Sequence, residues 1–270
     1  MSTAELQACL ARLYVDEPFL RLFELGDESV FEKYTLTPEE RSVLADLDKE
    51  SVKLFAKSLK GKRRKMFVGA YPGLFAMAPE AVRRYYERFY DIFPMTPDTT
   101  NFEAGQAFGK FMEQTCATDA TLPSYARDLV KYERLRFWTR SREVTRAPAE
   151  APARFPEVGL DSRPWVPDHV EVHSFAFDPR EVRAKVLEEE DPEIAGLEPV
   201  TLVFRRGSTA GRESKVFSIS PDMLDLVELC NGRRPVSEMV ERYEKRFGER
   251  LESPILSAVN KLMDLGVLEV

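Results

Sequence analysis

The sequence predicts a mainly α chain in two parts. A helical N-terminal domain, residues 1–145, precedes a small α+β domain, residues 169–270, of three strands followed by three helices. Three observations carry this reading. Apolar residues in the first half recur at helical spacing. Residues 146–168 then hold five prolines without periodicity, the signature of a linker. From His169 the apolar period changes to two, the spacing of a strand.

The helical half reads element by element. Leu6, Cys9, Leu10, Leu13 and Tyr14 form a first amphipathic set, and Pro18, Phe19, Leu20, Leu22 and Phe23 a short second one. Thr37-Pro38-Glu39-Glu40 starts a helix, with Thr37 as cap, Pro38 in the first turn and Glu40 reaching back. Val43, Leu44 and Leu47 are expected on its inner face, and Val52, Phe55 and Leu59 on that of the next helix. Six of the nine residues 57–65 are basic. Such a run is a solvated face or a patch for an acidic peptide or partner. Val82, Tyr85, Tyr86, Phe89 and Phe93 share one helix face, an aromatic stripe suited to a core. Phe102, Phe108, Phe111 and Met112 belong to the next helix, and Leu122-Pro123 opens a long one through Asp128, Glu133 and Trp138.

In the C-terminal part, Val170, Val172, Ser174 and Ala176 alternate with Glu171, His173, Phe175 and Phe177. Asp178-Pro179 starts a short helix. Thr201-Leu202-Val203-Phe204 and Lys215-Val216-Phe217-Ser218-Ile219 are two further strands, the turn between them at residues 207–211. Ser220 then caps a helix opened by Pro221 and stopped by Asn231-Gly232. Val236, Met239, Val240, Tyr243 and Phe247 line the second helix, which Gly248 ends. Ser253 is expected to cap the third, opened by Pro254 and lined by Ile255, Val259 and Leu262. Gly266 breaks it before a closing strand, Val267-Leu268-Glu269-Val270.

Composition excludes several classes of function. The chain has 270 residues and a net charge of −7, so no general affinity for nucleic acid or anionic membrane is expected. No apolar run approaches the ~20 residues that span a bilayer. The N-terminus lacks a basic start and an apolar core segment, so no signal peptide is expected. The three cysteines, Cys9, Cys116 and Cys230, are odd in number and far apart, which suits thiols in a reducing cytoplasm.

No catalytic or metal site is expected in this chain. The two histidines, His169 and His173, would sit ~13 Å apart on a strand, too far to share one metal. Cys-x-x-Cys, His-Glu-x-x-His and a Gly-rich phosphate loop are all absent. Gly105 and Gly109, in a helical context, are read as too sparse to matter.

The order of pieces after residue 168 resembles a winged helix, and the detail resembles one branch of it. Phe217-Ser218-Ile219-Ser220, Leu224, Cys230-Asn231-Gly232-Arg233-Arg234-Pro235-Val236, Met239-Val240 and the run from Leu262 to Leu268 are similar to the PqqD-like domain. That domain binds precursor peptides of ribosomally made, post-translationally modified peptides (RiPPs). An ordinary DNA-binding winged helix is disfavoured by charge. Residues 220–270 hold ten Asp/Glu against seven Lys/Arg, and the third helix carries only Lys261 inside it.

A second resemblance covers residues 64–138. Phe93-Pro94, Phe108 with Phe111, Leu122-Pro123, Asp128-Leu129 and Glu133 are similar to the helical domain of proteins that accompany multinuclear non-heme iron-dependent oxidases in RiPP pathways. The family often carries an aromatic after that glutamate; here it is Arg134. Together the resemblances imply a cytoplasmic, non-catalytic partner that presents a precursor's leader segment to a separate oxidase as a heterodimer. No cofactor is expected in this chain and iron is expected in the partner. A winged-helix transcriptional regulator with a helical sensor domain is the alternative, and a stand-alone enzyme a third possibility.

The expected peptide site follows from strand pairing. The third strand, with Lys215, Val216, Phe217, Ser218 and Ile219, would lie at a sheet edge and accept an extended leader as a further strand. Ala258, Lys261 and Leu262 of the last helix would form the other wall, and Lys261 would favour an acidic leader. A linker folded around Trp165 could instead cover that edge.

Overall fold

The computed structural model describes residues 3–93, 95–140, 158–207 and 214–270. The N-terminal part of the proline-rich linker, residues 146–157, and the turn residues 208–211 therefore lie outside the described residues, as does Pro94. The described residues form twelve α-helices, one 3-10 turn and one three-stranded antiparallel sheet. Among them, no helix is long and apolar enough to cross a membrane. The chain divides into two compact units. Unit 1 comprises Met1–Arg134 with Val182–Pro192, and unit 2 comprises Leu135–Glu181 with Glu193–Val270.

Unit 1 begins with α1 (Thr3–Val15), α2 (Glu17–Glu24) and the 3-10 turn Glu28–Phe31. Asp16 caps α2 by accepting the Phe19 N–H at 3.2 Å. Next come α3 (Pro38–Ala45) and α4 (Lys49–Ala70). The Thr37–Glu40 capping box forms as the sequence predicts. Cys9, Leu13, Phe19, Leu20, Phe23, Leu44 and Val52 make one core cluster here. Three expected inner residues are not in it: Val43 is 58% exposed, Phe55 is 50% exposed, and Leu59 is half-buried outside the cluster. On α3 Leu44 turns inward, and on α4 Val52 and Ala56 take that face, while Phe55, half exposed, meets the ring of Tyr14 at 4.5 Å.

The second core of unit 1 joins α5 (Pro72–Met77), α6 (Pro79–Ile92), α7 (Asn101–Thr118) and α8 (Ala126–Arg140) to the end of α4. Phe108 is its centre. The Phe67 ring stacks on it at 4.8 Å, and Tyr71, Phe89 and Tyr86 meet it edge-on at 5.7, 5.4 and 6.1 Å. Aromatic pairs of this kind add to burial because ring edge and face carry opposite partial charge. The aromatic stripe predicted on α6 is mostly inside: Val82, Tyr86 and Phe89 are buried, with Tyr85 and Phe93 packed against them.

Close approach shapes this core. The Tyr71 hydroxyl donates to the Gly105 carbonyl at 2.6 Å. A methyl group at Gly109 would collide with that hydroxyl and come within 2.9 Å of the Arg134 side chain. Gly109 therefore matters for packing, a role separate from the phosphate loop for which the α7 glycines are too sparse.

A buried carboxylate closes the unit. Glu133 is 1% exposed. It accepts the Gly73 N–H at 2.8 Å, the Leu74 N–H at 3.0 Å and Arg183 Nε at 3.0 Å. Those two N–H groups belong to the first turn of α5, whose own N-cap residue supplies no side-chain bond. Glu133 thus satisfies donors that a helix start leaves open. Burial pushes its carboxyl above the ordinary range; the two N–H groups and Arg183 pull the other way.

Unit 2 contains β1 (Val170–Phe175), β2 (Val200–Arg205) and β3 (Lys215–Ile219), in spatial order β1-β2-β3. The register pairs Val172 with Val203 and Val203 with Phe217, so these three share one face and join the aliphatic core. His173, Leu202 and Ser218 lie opposite one another on the other face. The helix α9 (Pro179–Leu187) follows β1, as its Asp178-Pro179 start predicts.

After β3 come α10 (Pro221–Leu229), α11 (Val236–Phe247) and α12 (Glu252–Asp264). Ser220 caps α10, and Gly248 ends α11 at φ +74°, a left-handed value that suits glycine. The third helix starts earlier than predicted. Ser253 lies inside α12, Leu251 is its N-cap without a side-chain bond, and the Leu251 N–H is taken instead by Glu244 at 3.0 Å. The closing strand reduces to a single bridge, between Glu269 and Trp165.

Trp165 has a definite place. It exchanges backbone bonds with Glu269 at 2.8 and 2.9 Å, and the Pro164 carbonyl accepts the Gly232 N–H at 3.0 Å. The carbonyls of Ser162 and Leu160 accept the N–H groups of Val236 and Ser237, both at 2.9 Å, which caps α11. Residues 158–167 are thus a strap built into unit 2.

Candidate functional site

The strand β3 occupies one end of the sheet. Its inner side bonds to β2 through the register Thr201–Ile219 to Arg205–Lys215. Among the described residues, its outer side has no ladder partner. Trp165 bridges Asn231 and Glu269, so the strap around it does not occupy the β3 rim. Alternation sets the strand's two faces. Phe217 and Ile219 pack against the aliphatic core, whereas Val216 sits opposite Phe204 on the other face.

Directly after Ile219 the chain enters a groove of about 510 Å³. Its floor is Met223 and Leu226 of α10 with Ile255 and Ala258 of α12. Tyr243, Phe247, Leu251 and Pro254 wall it, and Ser220, Asp222 and Glu249 supply its polar atoms. The rings of Tyr243 and Phe247 stack at 5.9 Å, and Phe247 is 52% exposed. One face of α11 therefore runs from core to surface: Val236, Met239 and Val240 are buried, Tyr243 is half-buried and Phe247 is open.

The predicted site residues separate into three groups. Lys215, Val216, Phe217, Ser218 and Ile219 form the end strand, and Ala258 lines the groove. Lys261 is exposed and lies outside the groove lining. Leu262 is a correction. It is fully buried with Ile255, Val259 and Met263, because positions 255, 259 and 262 fall on one helix face. It belongs to the core and presents no surface to a peptide.

The groove lining carries two carboxylates, Asp222 and Glu249, and no cation. Lys261, expected to tune the site for an acidic leader, is not among the lining residues. Sequence reasoning missed Asp222, Met223, Phe247 and Glu249 as site residues. The signal for Phe247 was present: an apolar face that continues past the last residue a short helix can bury.

Chemically the arrangement offers an apolar surface, a strand backbone, and the polar side chains of Ser220, Asp222, Tyr243 and Glu249. Among the described residues no cluster of three or more His, Cys, Asp or Glu is placed to hold a metal ion. His173 Nε2 lies 2.7 Å from a Glu171 carboxylate oxygen, on the strand. The three thiols are free, and burial raises them, Cys9 to about 11 and Cys116 and Cys230 to about 12. Such thiols stay protonated at neutral pH and are poor nucleophiles. No protein-family model matches the chain, and a search of curated proteins returns no match.

Proposed function

We propose that the chain is a non-catalytic, precursor-peptide-binding partner of a multinuclear non-heme iron-dependent oxidase in RiPP biosynthesis. Unit 2 acts as a winged-helix, PqqD-like recognition element, and unit 1 docks the oxidase, which holds the iron. The observation that supports this best is the junction of β3 with the groove. An end strand with an open rim runs through Ser220 into an apolar cleft. An extended peptide added along β3 gains main-chain bonds, and a side chain dropped into the cleft gains selectivity. Asp222 and Glu249 favour a peptide with an apolar anchor flanked by Lys or Arg. The reducing cytoplasm suits the free thiols.

Panning a random peptide library on the purified chain tests the peptide site. Enriched sequences are expected to carry an apolar residue beside a cation. Ala258→Trp, which fills the cleft, is expected to weaken them at least about tenfold, with the thermal melt unchanged. Enrichment of unrelated sequences, or binding indifferent to Ala258→Trp, rejects the site. Co-expression with a neighbouring-gene oxidase and size exclusion tests the partner: two separate peaks at micromolar concentration, with and without peptide, reject the heterodimer. Salt-sensitive binding to promoter DNA would favour the regulator instead, although α12 offers phosphate only Lys261.

A further inference from the structure

Unit 1 contains a cavity of about 340 Å³ that peptide binding does not use. Leu13 and Val15 of α1, Leu20 of α2, and Ala56 and Leu59 of α4 give it an aliphatic wall. The rest of the lining is polar, and its charges are unevenly matched. Lys60 is already neutralised, 3.2 Å from Glu17 and 2.7 Å from Glu87. Glu17, the carboxylate in the lining, is thereby paired as well.

Lys62 and Arg63 also line the cavity, and among the described residues neither has a carboxylate partner. Arg63 donates to the Thr99 carbonyl at 3.1 Å and lies 2.9 Å from Met95 Sδ, both uncharged. The basic run read from the sequence thus divides. Lys60, Lys62 and Arg63 reach the cavity, while Lys57, Arg64 and Lys65 are exposed elsewhere.

Tyr90 is the second and independent observation. Its side chain lines the same cavity and the residue is 3% exposed. Its hydroxyl closes no hydrogen bond among the described residues. Arg63 and Tyr86 act on it electrostatically without closing a bond of ordinary geometry, and the Tyr86 hydroxyl donates to the Lys60 carbonyl at 2.8 Å. A buried hydroxyl that closes no bond of ordinary geometry is rare, and an acceptor supplied by a ligand would satisfy it.

The geometry points to a binding pocket for a small apolar carboxylic acid. Its hydrocarbon body lies on the Leu13–Leu20–Leu59 wall. Its carboxylate accepts the Tyr90 hydroxyl and is attracted by Arg63, beside that hydroxyl, and by Lys62. A neutral apolar molecule of the same shape would fill the wall but leave both cations unmatched. A phosphate ion would match the cations and leave the wall empty.

Calorimetric titration of the full chain tests this, with octanoate and phenylpropionate as probes against octanol, phenylpropanol and inorganic phosphate. The expected result is one saturable site for at least one acid, with its alcohol and phosphate each at least about tenfold weaker. Tyr90→Phe and Arg63→Gln are each expected to weaken the acid about tenfold and leave the alcohol unchanged. Arg63 also ties down residues 95–99, so the exposed Lys62→Gln, expected to weaken the acid by about threefold, keeps the test sound if Arg63→Gln unfolds. No saturable binding of either acid overturns the proposal. So does an alcohol or phosphate as tight as the acid, or acid binding that neither Tyr90→Phe nor Lys62→Gln changes.

Discussion

The two units hold themselves together by different means. Unit 1 packs large rings around Phe108 and closes with a buried charge, Glu133, that reaches across 60 residues of sequence to Gly73. Unit 2 packs Val, Leu, Ile and Met, with Val203, Val236, Met239, Val259 and Leu262 all fully buried. Its long-range ties include backbone bonds from the strap at 160–165 to α11 and Glu269, with a buried cation, Arg205, donating to the Leu265 carbonyl at 2.6 Å. Aliphatic side chains carry no donor to satisfy, so such a core needs only volume and patterning. A core of tyrosines beside a buried carboxylate must also find partners for every polar atom. Unit 1 is therefore expected to be vulnerable at single polar atoms, and unit 2 at lost volume.

The largest expected effect is at Glu133. Glu133→Ala removes the acceptor for Gly73 and Leu74 and leaves the Arg183 guanidinium without its carboxylate. The expected loss is about 3–5 kcal/mol, measured by urea unfolding. Glu133→Gln separates charge from shape. The folded carboxyl sits above its ordinary value, so its contribution is complete below the unfolded value and is lost as pH rises through the folded one. The penalty of Glu133→Gln is then expected to be larger at about pH 4 than at about pH 8. A penalty that instead grows toward alkaline pH would mean that Arg183 and the two N–H groups outweigh burial.

Leu262→Ala is the counterpart in unit 2. It deletes a fully buried side chain packed with Ile255 and Val259, and should cost about 2–4 kcal/mol. Peptide affinity should be kept at temperatures where the variant remains folded, because Leu262 lines no part of the groove. A specific loss of affinity in the folded variant would return Leu262 to the site.

Thr100→Ala marks the scale of a purely local tie. Thr100 accepts the Glu103 N–H at 3.1 Å, and Glu103 accepts the Thr100 N–H at 2.8 Å, at the start of α7. Losing this box should cost about 1 kcal/mol by thermal melting. A cost equal to that of Glu133→Ala would erase the distinction drawn between local and long-range ties in unit 1.

What was legible in the sequence follows the same division. The strand Lys215–Ile219, the Thr37–Glu40 box, the Ser220 cap and the Gly248 stop each depend on a few neighbouring residues, and each is legible in the sequence alone. The role of Glu133 is not, because its partners lie 60 and 50 positions away. The packing role of Gly109 is hidden for the same reason: only the folded neighbour Tyr71 reveals that a methyl group cannot fit. The start of α12 was placed too late because Ser253-Pro254 imitates a cap, while Glu244 from the preceding helix satisfies Leu251. Of the candidate site, the edge strand and Ala258 were legible. The cleft was not, since Met223, Phe247 and Leu251 come from three separate segments.

The smallest expected effect is the most telling for the site. Lys261 stands on α12 three positions after Ala258, and sequence alone made it the charge that selects an acidic leader. In the structure it is exposed, whereas the cleft beside Ala258 carries Asp222 and Glu249. An exposed charge acts through water and salt, so its reversal changes little. Lys261→Glu should leave unfolding unchanged and shift the affinity of a groove-binding peptide by no more than about twofold at low salt. Asp222→Lys with Glu249→Lys, which reverses the charges that line the cleft, should instead weaken a Lys-flanked peptide by about tenfold or more and strengthen a Glu-flanked one. Anisotropy titrations of the two peptides against the three proteins read this directly. If Lys261→Glu moves affinity more than the double reversal does, the bound peptide runs along the outer face of α12 and the cleft is not its anchor.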